Sequence, residues 1–168
     1  MPLMREFSFV NDQWRKLADN EDVPRDGDVI INFARLDEVI DRLNSQAGKT
    51  GLHISNTVKP AALRPLFNQI ALISVAFPAF NDGRGFSIAK RLRHLGFTRT
   101  LRATGPLIAD QYAYAKACGF DEIDLPETLA QRQTADQWLK AANAISLSYQ
   151  RGYHRPVTIL DQRRAKAS

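Results

Sequence analysis

The chain has 168 residues, 44% hydrophobic and 24% charged, which suits one compact domain with short extensions and enough apolar material for a core. No apolar run approaches the roughly 20 residues of a membrane span, the start Met1-Pro-Leu-Met-Arg-Glu-Phe lacks the pattern of a secretory signal, and the single cysteine, Cys118, excludes an internal disulfide framework and a zinc ribbon or iron–sulfur cluster built on the chain's own thiolates. Of the net charge of +5, most lies in the basic tail 151–168, where Arg151, Arg155, Arg163, Arg164 and Lys166 face only Asp161. With no nucleic-acid motif beside that tail, the composition points to a cytoplasmic protein, with neither a membrane nor a nucleic acid as partner.

Residues 1–32 read as an N-terminal extension. Phe7, Phe9 and Val10, then Trp14 and Leu17, flank Asn11-Asp12, which predicts a short hairpin turning at that pair. The acidic stretch 18–28, with its Pro and Gly, reads as a surface loop, and Asp28-Val-Ile-Ile opens a strand.

The core is predicted over 33–150. Leu36, Val39, Ile40 and Leu43 follow the i, i+3, i+4, i+7 spacing of a half-buried helix. Leu52-His-Ile predicts a strand, and Pro60 with Leu63, Leu66 and Phe67 a second helix. Ile70 to Phe77 is the near-continuous apolar run of a strand buried on both faces. Ile88, Ala89, Leu92 and Leu95 predict the next helix, and Thr100-Leu-Arg-Ala the next strand. Ile108, Tyr112 and Ala115 form a helical face ending at Cys118-Gly119, and Glu122-Ile-Asp-Leu a strand. Thr134 with Gln137 is a capping box before Trp138, Ala142 and Ile145. Such alternation implies a single α/β domain of parallel βα units. Half of a TIM-like barrel and a small open sheet both fit.

Sites in such folds gather at the carboxyl ends of the strands. Three loops fall there: Ser55-Asn56-Thr57, Pro78 to Ser87, and Thr104-Gly105-Pro106. The middle loop combines Asp82, Gly83, Arg84, Gly85 and Ser87 at a helix start. Free backbone N–H groups there favour an anion, and Arg84 adds a planar fork. The alternative is a tight turn with a local ion pair. The stretch is no dinucleotide fingerprint, because Ile88 stands where the third glycine belongs. Arg102, a charge inside a strand, requires a partner, and Asp82 and Asp110 are the candidates. Asp110-Gln111 would edge a polar pocket or meet a helix dipole. His53, His94 and His154 have no metal-ligand spacing, so no metal is expected. His53 reads as a satisfied core residue and Cys118 as a small buried one. No flavin, nicotinamide, haem or cluster motif is present, so no cofactor is evident.

Asn81-Asp-Gly-Arg-Gly-Phe-Ser, Arg91-Leu-Arg, Leu101-Arg-Ala-Thr-Gly, Asp110-Gln-Tyr-Ala-Tyr and Cys118-Gly-Phe-Asp-Glu, in this order and spacing, resemble the bacterial Domain of Unknown Function 934 family. Gly27-Asp-Val-Ile, Phe33-Ala-Arg, Ser148-Tyr-Gln and Pro156 extend the resemblance over nearly the whole chain. It implies a cytoplasmic protein of sulfur assimilation, whose relatives are encoded beside assimilatory sulfite reductase and labelled as oxidoreductases of sulfite reduction. Many members carry a lysine where this chain has Ala79, so a mechanism through that lysine does not transfer. Two expectations follow. One is an accessory of sulfite reduction that binds the sulfite reductase or a small anion. The other is an enzyme acting on a small anionic metabolite at Asp82, Arg84, Arg102 and Asp110. A half-barrel also leaves sheet edges to cover, by the N-terminal strands or by a second subunit in a homodimer.

Overall fold

The computed structural model describes residues 2–43 and 48–144. Among them, eight strands form one sheet: β1 (Leu3–Arg5), β2 (Ser8–Val10), β3 (Arg15–Lys16), β4 (Val29–Asn32), β5 (Thr50–Ile54), β6 (Leu72–Ala76), β7 (Thr100–Thr104) and β8 (Glu122–Asp124). Their spatial order is β2-β1-β8-β7-β6-β5-β4-β3. From β3 to β8 every neighbouring pair is parallel, while β1 is antiparallel to both β8 and β2. The four core strands expected from the apolar runs are all present and parallel.

Spatial order equals chain order along the parallel strands, so each crossover steps one strand in the same direction. Right-handed crossovers of that kind put every helix on one face. The helices are α1 (Ile40–Leu43), α2 (Arg84–His94), α3 (Tyr112–Cys118), α4 (Glu127–Ala130) and α5 (Ala135–Ala144). The helix-covered face carries Ile31, Leu52, Ile54, Ile73, Val75, Leu101, Ala103 and Ile123, packed with Ile88, Ala89 and Leu92 of α2 and Ala115 and Cys118 of α3. The opposite face holds the alternate residues. Leu3, Ile30 and Leu72 are buried there, apart from the helix-packed core, and the other positions are mostly polar.

The sheet is open and curled, a half-barrel within a single α/β domain. Chain length alone requires the curl. A flat sheet of this many strands is about 34 Å across at ~4.8 Å per spacing. Only residues 11–14 join β2 at one edge to β3 at the other, and they allow at most about 18 Å between Val10 and Arg15. This strap pulls the two edges together and lies against the inner face.

Four expectations are corrected in detail. The N-terminal hairpin turns at Glu6 and Phe7, both at positive φ (46° and 66°), and Asn11-Asp12 belongs to the strap. The first crossover is a 3-10 segment, Phe33–Val39, running into α1, and Ile40 is exposed, not on the buried face. The second is also 3-10, Pro60–Leu66, because Pro65 has no N–H to give an α-helical ladder. Arg102 pairs with neither Asp82 nor Asp110, as shown below. Residues 1–32 supply β1 to β4, so the N-terminal segment covers both flanks of the central strands. Half of the Thr134–Gln137 capping box is seen, Gln137 Oε1 accepting from Thr134 N–H at 3.0 Å. Ile145, His154, the Ser148-Tyr-Gln and Pro156 matches and the tail 151–168 lie outside the described residues.

Candidate functional site

The residues singled out in the sequence divide between two places. Asp82, Gly83, Arg84, Gly85 and Ser87 lie at the carboxyl end of β6 and the start of α2. Asp82 accepts from Arg84 twice, at 3.0 Å (Nε) and 2.7 Å (Nη2), and Asn56 Nδ2 donates to it at 2.7 Å from the loop after β5. The guanidinium beside Asp82 holds its carboxyl well below the usual carboxylate range. Arg84 is largely exposed, and Asp82 takes its Nε and Nη2 while Nη1 has no hydrogen bond among the described residues. Gly83 caps the helix and Ser87 is exposed.

Two of the glycines that carry the resemblance, Gly85 and Gly105, serve packing. A Cβ on Gly85 would meet the Phe77 ring at 2.4 Å, and one on Gly105, at φ +142°, would meet the Phe77 carbonyl oxygen at 2.1 Å. Phe77 stacks edge-on with Phe86 (4.9 Å) and Phe120 (5.8 Å). Asp121 accepts from Arg93 Nη2 and from Leu101 N–H, each at 2.7 Å, and Arg93 also donates to the Gly119, Phe97 and Arg99 carbonyls. Gln111 Nε2 donates to the Phe80 carbonyl at 2.7 Å and ties two of the loops together. Asp110 is exposed, on a shallow cavity with Ile108, Gln133, Gln137 and Lys140. Cys118 is buried, and that burial pushes its thiol up, away from a nucleophile's range.

Arg102 lies on the inner face and does not join Asp82 and Arg84. It is 1% exposed. Its Nε donates to Glu122 Oε1 at 2.7 Å, and its Nη1 and Nη2 donate to Asp12 Oδ2 and Oδ1 at 2.6 and 2.9 Å. Arg5 caps the other Glu122 oxygen at 2.7 Å. Burial pushes the Asp12 carboxyl up, but hydrogen bonds from Arg102 and the Trp14 N–H outweigh it and the net shift is downward. Asp12, in the strap, was not among the expected site residues. Ninety positions separate it from Arg102, and no local signal connects them.

Across the same face runs a polar row. Register aligns Asn32, His53, Ser74, Arg102 and Glu122 on adjacent strands, with Thr104 and Asp124 two residues further up. His53 Nδ1 is 2.9 Å from Ser74 Oγ, which is 2.7 Å from Thr104 Oγ1. Asp124 is buried, and its Oδ1 has no hydrogen-bond partner. Desolvation raises its pKa, against the opposing charges of Arg102 and Lys16. Among the described residues no group of three or more His, Cys, Asp or Glu could hold a metal ion, and no helix is long and apolar enough to cross a membrane.

These features define a single-domain α/β half-barrel with a charged, hydrogen-bonded inner face and a strap across it. The family model described as "Bacterial protein of unknown function (DUF934)" matches residues 51–160, well over half of the chain. The protein belongs to that family. A search of curated proteins finds no match.

Proposed function

We propose that the protein is a cytoplasmic accessory of assimilatory sulfite reduction, one that binds the sulfite reductase or a small anion and does not itself carry out the reduction. The pathway comes from the resemblance of the residue motifs. The observation that carries the non-catalytic half is Arg102, the most deeply buried cation among the described residues, with its fork closed by Asp12 and Glu122. Arg84 is paired along one edge with Asp82. Gly85, Gly105, Phe120 and Asp121, which carry the resemblance, are engaged in packing and backbone hydrogen bonds. Groups arranged this way hold a shape for a partner to recognise.

A second reading, an enzyme acting on a small anionic metabolite at the carboxyl ends of the strands, draws on one feature. Asp124 keeps a buried carboxyl oxygen without a partner beside a chain of hydroxyls, and perturbed buried carboxyls are frequent acid–base groups. Growth decides the role. A strain lacking the gene should grow poorly with sulfate as sulfur source and normally on cysteine, and the wild-type chain should restore growth on sulfate. Equal growth of deletion and parent strains on sulfate would remove the protein from the pathway. Purified protein that turns over sulfite alone would favour the enzyme.

A further inference from the structure

A cavity of about 410 Å³ at the carboxyl ends of β3, β4 and β5 is lined by Lys16, Leu17, Ala18, Asp19, Asn32 and His53. Its volume is on the scale of small-molecule sites, roughly 300–1,000 Å³. Its polar groups differ in how far they are already engaged. Asn32 donates its amide to Asp19 and accepts the Ala34 N–H. Lys16 lines the same wall as Asp19, yet among the described residues its ammonium has no ion pair or hydrogen bond. Its charge acts on both His53 and Asp124, and its register with Ile30 puts it on the inner face of the half-barrel.

The second unengaged group is the far nitrogen of His53. Its Nδ1 faces Ser74 Oγ at 2.9 Å, and Ser74 Oγ faces Thr104 Oγ1 at 2.7 Å. Thr104 is buried, and among the described residues Ser74 is the one hydrogen-bond partner of its hydroxyl. A buried hydroxyl proton seeks an acceptor, so Thr104 donates to Ser74, Ser74 donates to Nδ1, and the ring proton sits on Nε2. Burial lowers the imidazole's pKa to about 4, with the Lys16 charge adding to the effect. The ring is therefore neutral and presents an N–H. Two donors are left unengaged at this cavity, an ammonium and an imidazole N–H, beside an Asp19 carboxylate of which one oxygen accepts from Asn32. One of the two donors is charged. That set recognises an oxygen carrying negative charge.

We propose that this cavity binds a small oxyanion, carboxylate or inorganic, between Lys16 Nζ and His53 Nε2–H. Ser74 and Thr104 are positioning residues that fix the imidazole's tautomer. Asp19 on the same wall weighs against high ligand charge, which favours a singly charged anion. The site deepens the anion-binding part of the proposed function and rests on it, but it differs in place from the Arg84 helix start.

The test uses the full chain and two singly charged probes, sodium acetate for a carboxylate and sodium nitrate for an inorganic oxyanion. Side-chain nitrogen NMR should report His53 protonated on Nε2 at neutral pH, with a saturable shift as one or both anions are added. In calorimetry, Lys16→Met should bind the active probe about tenfold more weakly, the scale of one charge-assisted contact, and Arg84→Ala should bind it like wild type. Ser74→Ala, checked for an unchanged melting curve, should mix the tautomers and weaken binding. An Nδ1-protonated His53, unchanged affinity in Lys16→Met, or no saturable response to either probe would overturn the site. Binding is read on purified protein and the accessory role on growth, so one can fail without the other.

Discussion

Burying the imidazole of His53 puts a pH dependence into the stability of the sheet. Its pKa is near 4 in the folded chain against an ordinary 6.5, so between those values the unfolded chain takes up a proton that the folded one refuses. Stability from this residue is complete above about pH 6.5 and falls as pH drops towards 4, by roughly 3 kcal/mol in all. Asp124 works in the opposite direction, because its raised pKa lets the folded chain gain its proton first. Urea unfolding of wild type and His53→Gln at pH 7.5 and 4.5 isolates the histidine: the variant should lose distinctly less stability on acidification, and parallel losses would contradict the assigned burial. Gly85 gives a second prediction at this scale. A methyl there enters the Phe77 ring at 2.4 Å, so Gly85→Ala should cost about 1–3 kcal/mol in the same assay, the usual range for overpacking. An unchanged midpoint would show that Phe77 can move aside.

At the scale of elements, the strap 11–14 does what a longer connection could not: its shortness forces the curl, and Asp12 fastens it to β7. Asp12→Ala should destabilise the chain by about 1.5–3 kcal/mol, the range for hydrogen bonds to a charged group, since Glu122 still holds one side of Arg102. Amide exchange should quicken in β2 and β3, the strands the strap joins; faster exchange confined to the helices would contradict that role. The parallel strands were legible because apolar runs bounded by turns carry their own signature, as in Leu72 to Ala76. The N-terminal turn was not. Glu6 and Phe7 adopt left-handed backbone that such residues rarely favour, while Asn11-Asp12, the better turn former by composition, is drawn away by Arg102. The 3-10 crossovers were hidden for a similar reason: apolar spacing reports which side is buried and says little about how tightly the turns are wound.

For the whole molecule, the half-barrel has two faces with different duties. The outer face buries an ordinary apolar core under helices. The inner face is held by charge, and Arg102 is its centre, joining the strap, β7 and β8 through Asp12 and Glu122. The sequence marks Arg102 as a charge in a strand that needs partners. It cannot name them, because Asp12 arrives from the chain start and Glu122 becomes a neighbour only once β7 and β8 pair. Of the site, the loop residues were therefore findable as a motif, whereas Lys16, His53, Ser74, Thr104 and Asp124 emerge as a group only when strand register puts them on one face. The short, charged outer strand β3 (Arg15-Lys16) also limits edge pairing, as exposed cations do.

Removing the Arg102 side chain tests the account most directly, with stability and function read on the same protein. Arg102→Ala leaves Glu122 buried and Asp12 without its partner, so denaturant unfolding should show a loss of roughly 3–5 kcal/mol. Growth on sulfate should then fail in proportion to the folded protein lost, and return when expression is raised. A folded Arg102→Ala protein of wild-type stability that still cannot support growth on sulfate would contradict the account and make Arg102 a working residue.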